Sequence, residues 1–348
     1  MNKMNSSGSG KYSSWLKKNG LRYSMHLLLL LILVMLPFVL TNRFYMRLVT
    51  EILIYGLLAM SLDVLLGYTG LLSFMHAAYM GIGAYTIGIF LTYANTSPSL
   101  WLSLALGVGV VMLIALPVGW LQVRTGGFAF ALLTIAFGMM YYTIVWKARN
   151  ITGGDDGMFG IPRPKIAIGN WVLGSTGDPI VIYFFTLFIV IICFLITRRI
   201  IRSPFGAVLE SIRENEERAS FIGINVRRFK LQGWMLACTL GGVSGVLFTY
   251  LKGSVSPTMM DPSAGGAVLM MTLLGGLGTL WGPFIGAGLF IFGQDYISTM
   301  TEHWMIFMGL AVILLVLFMP KGIAGLIEHI IKKMERKVGY KNGNNFKH

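Results

Sequence analysis

Long apolar runs separated by short polar stretches repeat along the whole chain. They lie near residues 24–41, 48–66, 76–93, 100–121, 127–146, 180–197, 233–251, 264–281, 283–300 and 304–320. Most approach the ~20 residues that a helix needs to cross ~30 Å of hydrocarbon. Strands of a membrane barrel would instead alternate apolar and polar residues over about 10 positions, and these runs do not alternate. The pattern predicts an all-α integral membrane protein with about ten transmembrane helices. Its least regular point is the turn Trp281-Gly282-Pro283, which fits a re-entrant pair as well as two full spans. The first run has no small-residue cleavage site, so a signal peptide is not expected.

Composition narrows the class. Only 12% of the 348 residues are charged, against about 25% in soluble domains. The mean hydropathy is +0.71. An ordinary soluble protein and a disordered one are both excluded. The 43 glycines show no collagen period and suit helices that approach closely. The net charge of +14 would suggest nucleic acid on a soluble protein. On a membrane protein it is a topological signal, because basic residues collect in cytoplasmic loops. With the N-terminus inside, alternation places 21 of the 28 Lys and Arg residues inside and 7 outside. Five lie in 1–23, eight in 198–232 and seven in 321–348. This predicts both termini in the cytoplasm and no nucleic-acid partner. The expected layout is a basic tail (1–23), a membrane domain (24–327) and a second basic tail (328–348). An external loop (147–179) and an internal loop (198–232) interrupt the membrane domain.

Chemical motifs are few. No Gly-x4-Gly-Lys-Ser/Thr phosphate loop is present, so the chain has no recognisable means of hydrolysing ATP itself. A Gly-x-Ser-x-Gly elbow is also missing. The five histidines lack metal-ligand spacing, and Cys193 and Cys238 sit in apolar runs. An enzyme, a bound cofactor and a metal site are therefore not expected.

The internal loop is the most informative segment. Pro204 sits where a helix begins. Val208, Ile212, Ala219, Phe221 and Ile222 interleave with Glu210, Arg213, Glu214, Glu216, Glu217 and Arg218. That spacing predicts two short amphipathic helices. An interfacial helix on lipid is one reading, but anionic lipid repels the glutamates. A groove on a protein partner suits the mixed-charge face better.

Glu217-Arg218-Ala219-x3-Gly223 resembles the Glu-Ala-Ala-x3-Gly core of the permease loop of ABC importers, with Arg218 in place of the middle Ala and no Ile-x-Leu-Pro ending. A wider resemblance links residues 40–327 to the LivM family of branched-chain amino acid permeases. It rests on LLGYTGLLSFMHAAYMGIGAY (65–85), TGGDDGMFGIPRP (152–164), RSPFG (202–206), IRENEERA (212–219), LLGGLGTLWGP (273–283) and MPKGIAGL (319–326). The resemblance implies a permease subunit in the bacterial or archaeal cytoplasmic membrane that forms half of a translocation pathway for leucine, isoleucine and valine. It implies a homologous second permease, two cytoplasmic ATPase subunits that carry ATP and Mg, and an extracytoplasmic solute-binding protein. Arg213, Glu214, Glu216, Glu217, Arg218, Ala219, Phe221, Ile222 and Gly223 are then the expected contact with the ATPase. A related permease for urea, short amides or other amino acids shares most of these motifs. A secondary transporter or channel is the alternative of another class. It would need buried charges for ion coupling and no coupling loop.

Individual residues carry further expectations. Asp63 lies in a span, where helix-end hydration or capping competes with substrate contact. The clusters Gly67–Gly70 and Gly275–Gly278 share the spacing Gly, two residues, Gly, one residue, Leu. They fit either hinges lining a pathway or close helix packing. On the first reading Gly67, Gly70, Ser73, His76, Gly275, Gly276 and Gly278 line the pathway. On the second His76 bonds a neighbouring helix. Asp155 and Asp156 fit either docking of the binding protein or a solvated glycine-flanked turn.

Overall fold

The computed structural model describes residues 33–37, 42–93, 99–163, 165–168, 171–319, 322–327 and 329. The tail 1–23, nearly all of the tail 328–348 and most of the expected first span lie outside the described residues. Residues 33–37 of that span are helical. Contacts group residues 47–326 into one unit and residues 1–46 with 327–348 into another. All that follows concerns the larger unit, apart from the first residues of helix α1.

The apolar runs fold as helices, the one open structure that satisfies every backbone polar group without water. They are α1 (Arg43–Asp63), α2 (Ala77–Tyr93), α3 (Leu100–Gln122), α4 (Gly127–Lys147), α6 (Pro179–Ile201), α9 (Val226–Lys252), α10 (Pro262–Gly275), α11 (Gly282–Ser298) and α12 (Trp304–Phe318). α5 (Arg149–Thr152) is a single turn in the expected external loop, and α7 (Pro204–Glu214) and α8 (Glu216–Phe221) lie in the expected internal loop. Two antiparallel strand pairs complete the described residues. β1 (Met158–Phe159) pairs with β4 (Ser254–Val255), and β2 (Lys165–Ile168) pairs with β3 (Trp171–Ser175).

Among the described residues, five helices are long and apolar enough to cross a membrane: Arg43–Thr69, which adds a π-helical turn to α1, and α3, α4, α6 and α9. α10 departs from its expected bounds of 264–281. It has 14 residues and rises about 21 Å, short of the ~30 Å core. Gly276, Gly278 and Leu280 take φ values of 108°, 72° and 56°. No right-handed helix continues through them.

The packing centre is α2 against α9 and α3. Small residues bring these backbones together. A Cβ at Gly83 would sit 2.5 Å from the Gly242 carbonyl oxygen, so a larger side chain would force the helices apart. Thr249 Oγ1 donates to the Ala84 carbonyl at 3.2 Å across the α9–α2 contact. Trp234 is completely buried. Its Nε1 donates to the Ala115 carbonyl at 3.1 Å, and its ring meets Tyr79 and Phe130 edge-on at 5.3 and 5.7 Å. A second cluster joins α10, α11 and α12 to α1 through Ala59, Met271, Phe290 and Met308.

Two buried stretches are not regular α-helix. The chain leaves the π-helical turn at Gly70 and runs irregularly to His76. Residues 253–261 hold β4 and a 3-10 turn (Pro257–Met260) before α10. Both pack on the centre: Met260 fills the space beside Gly81, and Gly265 rests on the Phe74 carbonyl. Irregular backbone within a membrane protein persists where protein surrounds it. Here those contacts cover part of it, while Gly70 and Thr258 stay exposed.

Candidate functional site

The contacts between loops sort to two ends of the bundle. At one end, Lys252 Nζ pairs with Glu51 Oε2 at 2.7 Å, Tyr93 Oη donates to the Asn150 carbonyl at 2.9 Å, and β1 pairs with β4. Each joins segments that the alternating scheme places outside. Trp146 Nε1 donates to Asp155 Oδ1 at 3.0 Å. Asp155 is thereby tied to the end of α4, while Asp156 is exposed beside it.

At the other end, the expected internal loop, residues 198–232, folds back on the membrane helices. Ser203 caps α7 by accepting from Phe205 N, with Pro204 in the first turn. Asn215 breaks the helix in an extended conformation and caps α8 by accepting from Arg218 N at 2.8 Å. Ile212, Ala219 and Val226 then form a small buried core with Val208, Ile224 and Phe229 packed around it. Glu216 pairs with the buried Lys230 at the start of α9.

The expected partner-facing set therefore divides. Ala219 faces inward with 3% of its surface exposed. The half-exposed Glu216 is taken by Lys230, and Arg213 turns toward α1. Ala219 and Glu216 help to hold the loop together, and Arg213, itself still exposed, ties it to the end of α1. Glu214, Glu217 and Arg218 are exposed. Phe221 and Ile222 project with 86% and 73% of their surfaces exposed. Gly223 follows with φ 88°, a left-handed geometry that glycine adopts without strain. The loop thus presents an apolar tip rimmed by charge on a packed base.

The glycine clusters meet directly beneath this loop. A Cβ at Gly67 would strike Asp63 Oδ1 and lie 2.5 Å from Gly278 N. The end of α1 and the α10–α11 loop touch backbone to backbone there. Asp63 is completely buried. It makes no capping hydrogen bond to its own helix. Its Oδ1 accepts from Gly278 N at 2.7 Å, and its Oδ2 accepts from Leu280 N at 3.1 Å. Tyr68 Oη donates to the Gly278 carbonyl at 2.8 Å. Arg213 donates from Nη1 to the Gly67 carbonyl, and its stem lies against Gly70. Sequence reasoning did not single out Tyr68 and gave Asp63 other roles. The one local signal was a carboxylate within an apolar run.

The remaining pathway candidates lie elsewhere. Gly275 is buried against Gly282, and Gly276 is buried beside it. His76 is buried and shares a 2.8 Å hydrogen bond with Ser61 Oγ on α1. Ser73 is buried beside a narrow cleft bounded by Gln122, Thr134, Tyr141 and Trp234. No open channel joins these groups among the described residues. They divide between the loop junction and the α1–α2–α9 interior.

Residues 44–317 match the family model described as "Branched-chain amino acid transport system / permease component". The LivM permease protein of a high-affinity branched-chain amino acid transport system in Salmonella typhimurium is 27% identical over 313 residues, covering 85% of this chain and 73% of that protein. The LivH permease protein of the same organism is 27% identical over 294 residues, covering 78% and 91%. A probable LivM protein of Methanocaldococcus jannaschii is 21% identical over 331 residues, covering 82% and 94%. No solved structure gives a significant match. With a family model spanning most of its membrane helices, the chain belongs to the branched-chain amino acid transport permease components, multi-pass proteins of the cytoplasmic membrane.

Proposed function

We propose that the chain is one transmembrane subunit of an ATP-driven importer for branched-chain amino acids. It forms half of the pathway beside a homologous permease. The pairing of LivM and LivH relatives supports a second subunit of that kind. Two cytoplasmic ATPase subunits supply the energy, and an extracytoplasmic binding protein delivers the substrate.

One observation carries this reading: the exposed Phe221–Ile222 tip on an otherwise packed internal loop. Two large apolar side chains held outward on a rigid base suit a protein groove. The charged rim of Glu214, Glu217 and Arg218 would set orientation and encounter rate. A rigid-body movement of the partner could then carry the whole loop, switching the pathway between two states.

The test is co-purification of the ATPase with Gly223→Val and Phe221→Ala permeases, alongside amino acid uptake in vesicles. Gly223→Val forces a branched residue into a left-handed conformation at a position with open space around it. It should misplace the tip without disturbing the helices. Loss of ATPase association or of uptake is expected. Normal association and uptake in both variants would show that the Phe221–Ile222 tip is not the contact with the ATPase.

A further inference from the structure

Asp63 and Tyr68 lie on α1 and its π-helical turn, and Arg213 lies on α7, yet all three bear on one backbone contact. We propose that they form a relay. Arg213 transmits the position of the internal loop to the Gly67–Gly278 contact, and Asp63 with Tyr68 latches that contact closed. The proposal rests on the importer reading and names positioning residues within it.

Three features distinguish this junction from ordinary packing. First, the Gly278 peptide group and its neighbour are held at several points. Asp63 takes the Gly278 N–H at 2.7 Å and the Leu280 N–H at 3.1 Å, while Tyr68 donates to the Gly278 carbonyl at 2.8 Å. These bonds fix a loop whose Leu280 lies at φ 56°, a costly conformation for a branched-side-chain residue that persists only when its surroundings impose it. Release of the latch therefore frees a strained loop. Second, the Gly67 peptide is the pivot. Its α-carbon faces Gly278 N, and its carbonyl accepts from Arg213. Third, Arg213 lies in the last turn of α7, whose base is packed through Ile212 and Ala219. Its Nη1 lies 3.8 Å from the position that a Cβ on Gly278 would take. A movement of the α7–α8 pair must carry this guanidinium across the junction. The α10–α11 loop opens or closes with it.

The chemistry specifies the variants. Both oxygens of Asp63 accept N–H bonds, so Asp63→Asn turns an NH2 group toward one of the two donors. Arg213→Gln shortens the side chain and removes the charge. Arg213→Lys keeps a charged donor on a long stem.

The complete complex is reconstituted in vesicles with its second permease, ATPases and binding protein. Leucine uptake is measured per ATP hydrolysed. A Leu277→Cys reporter in a Cys193→Ala background is labelled from the ATPase side, with and without nucleotide. Leu277 is 41% exposed on the latched loop. The expected result is uptake per ATP about tenfold lower or worse in Arg213→Gln, the scale of one hydrogen bond to a charged group. Labelling of the Leu277→Cys thiol should no longer depend on nucleotide. Arg213→Lys should restore part of both. Unchanged uptake per ATP and intact nucleotide-dependent labelling in Arg213→Gln would overturn the relay, whether or not Asp63→Asn folds. An unmodified complex that takes up no leucine on ATP would overturn the importer reading and the relay with it. The unmodified arm therefore separates the two failures.

Discussion

Truncating Phe221 separates docking from folding. In the permease alone its side chain is 86% exposed, so Phe221→Ala removes almost no packing. Within a groove, full burial of such a side chain contributes about 1.5–3 kcal/mol. Its loss should weaken binding of the ATPase about tenfold to a hundredfold. Ile222→Ala, at 73% exposure, should act in the same direction. Ile212 provides the contrast. It is 3% exposed in the core beneath the tip, so Ile212→Ala should cost about 2–5 kcal/mol of local stability. The assay titrates purified ATPase onto the permease pair in nanodiscs and records Tm on the same samples. The expected result is a raised Kd with unchanged Tm for Phe221→Ala, and a lowered Tm for Ile212→Ala. An unchanged Kd for both tip variants would refute the docking surface. A fall in Tm for Phe221→Ala would mean that the tip is packed in the permease itself.

Other outcomes follow from single contacts. A tag placed between Gly169 and Asn170 should be accessible from outside, and tags within 198–232 from inside; labelling in intact cells and inverted vesicles checks both, and an inside position for 169–170 would break the alternating scheme. Trp234→Ala should cost about 3–5 kcal/mol and lower the Tm in detergent, because the ring is buried where α9 meets α2, α3 and α4; an unchanged Tm would contradict its central place. Asp156→Lys should reduce stimulation of the ATPase by the binding protein, most strongly at low salt; Asp156 is the cleaner test because Asp155 also holds Trp146, and equal stimulation across a salt series would leave only the turn.

The spans and the two-helix loop were legible because they depend on local pattern. Apolar runs near 100–121 and 127–146 became α3 and α4 within a residue of their expected bounds. The Pro204 start and the spacing of Val208, Ile212 and Ala219 became α7 and α8. The run 264–281 misled because an averaged hydropathy tolerates a few glycines among leucines and is blind to φ. Positive φ at Gly276, Gly278 and Leu280 ends α10 early. The loop's division into packed and projecting residues was not legible either. Ala219 and Phe221 are both apolar on a short helix, and only the position of α9 decides which is covered. Asp63 shows the same limit more strongly. Its carboxylate is conspicuous in sequence, but its partner Gly278 lies 215 residues away. The two similar glycine segments, set apart in sequence for their spacing, turn out to meet at Gly67 and Gly278.

Energy coupling is decided most directly by leucine uptake into vesicles holding this chain, its sister permease, the ATPases and the binding protein. An ATP-driven importer accumulates leucine only with ATP on the ATPase side and binding protein on the other. Ionophores that collapse ion gradients leave that uptake intact. Accumulation without ATP, abolished when the gradients are collapsed, would contradict the ATP-driven reading.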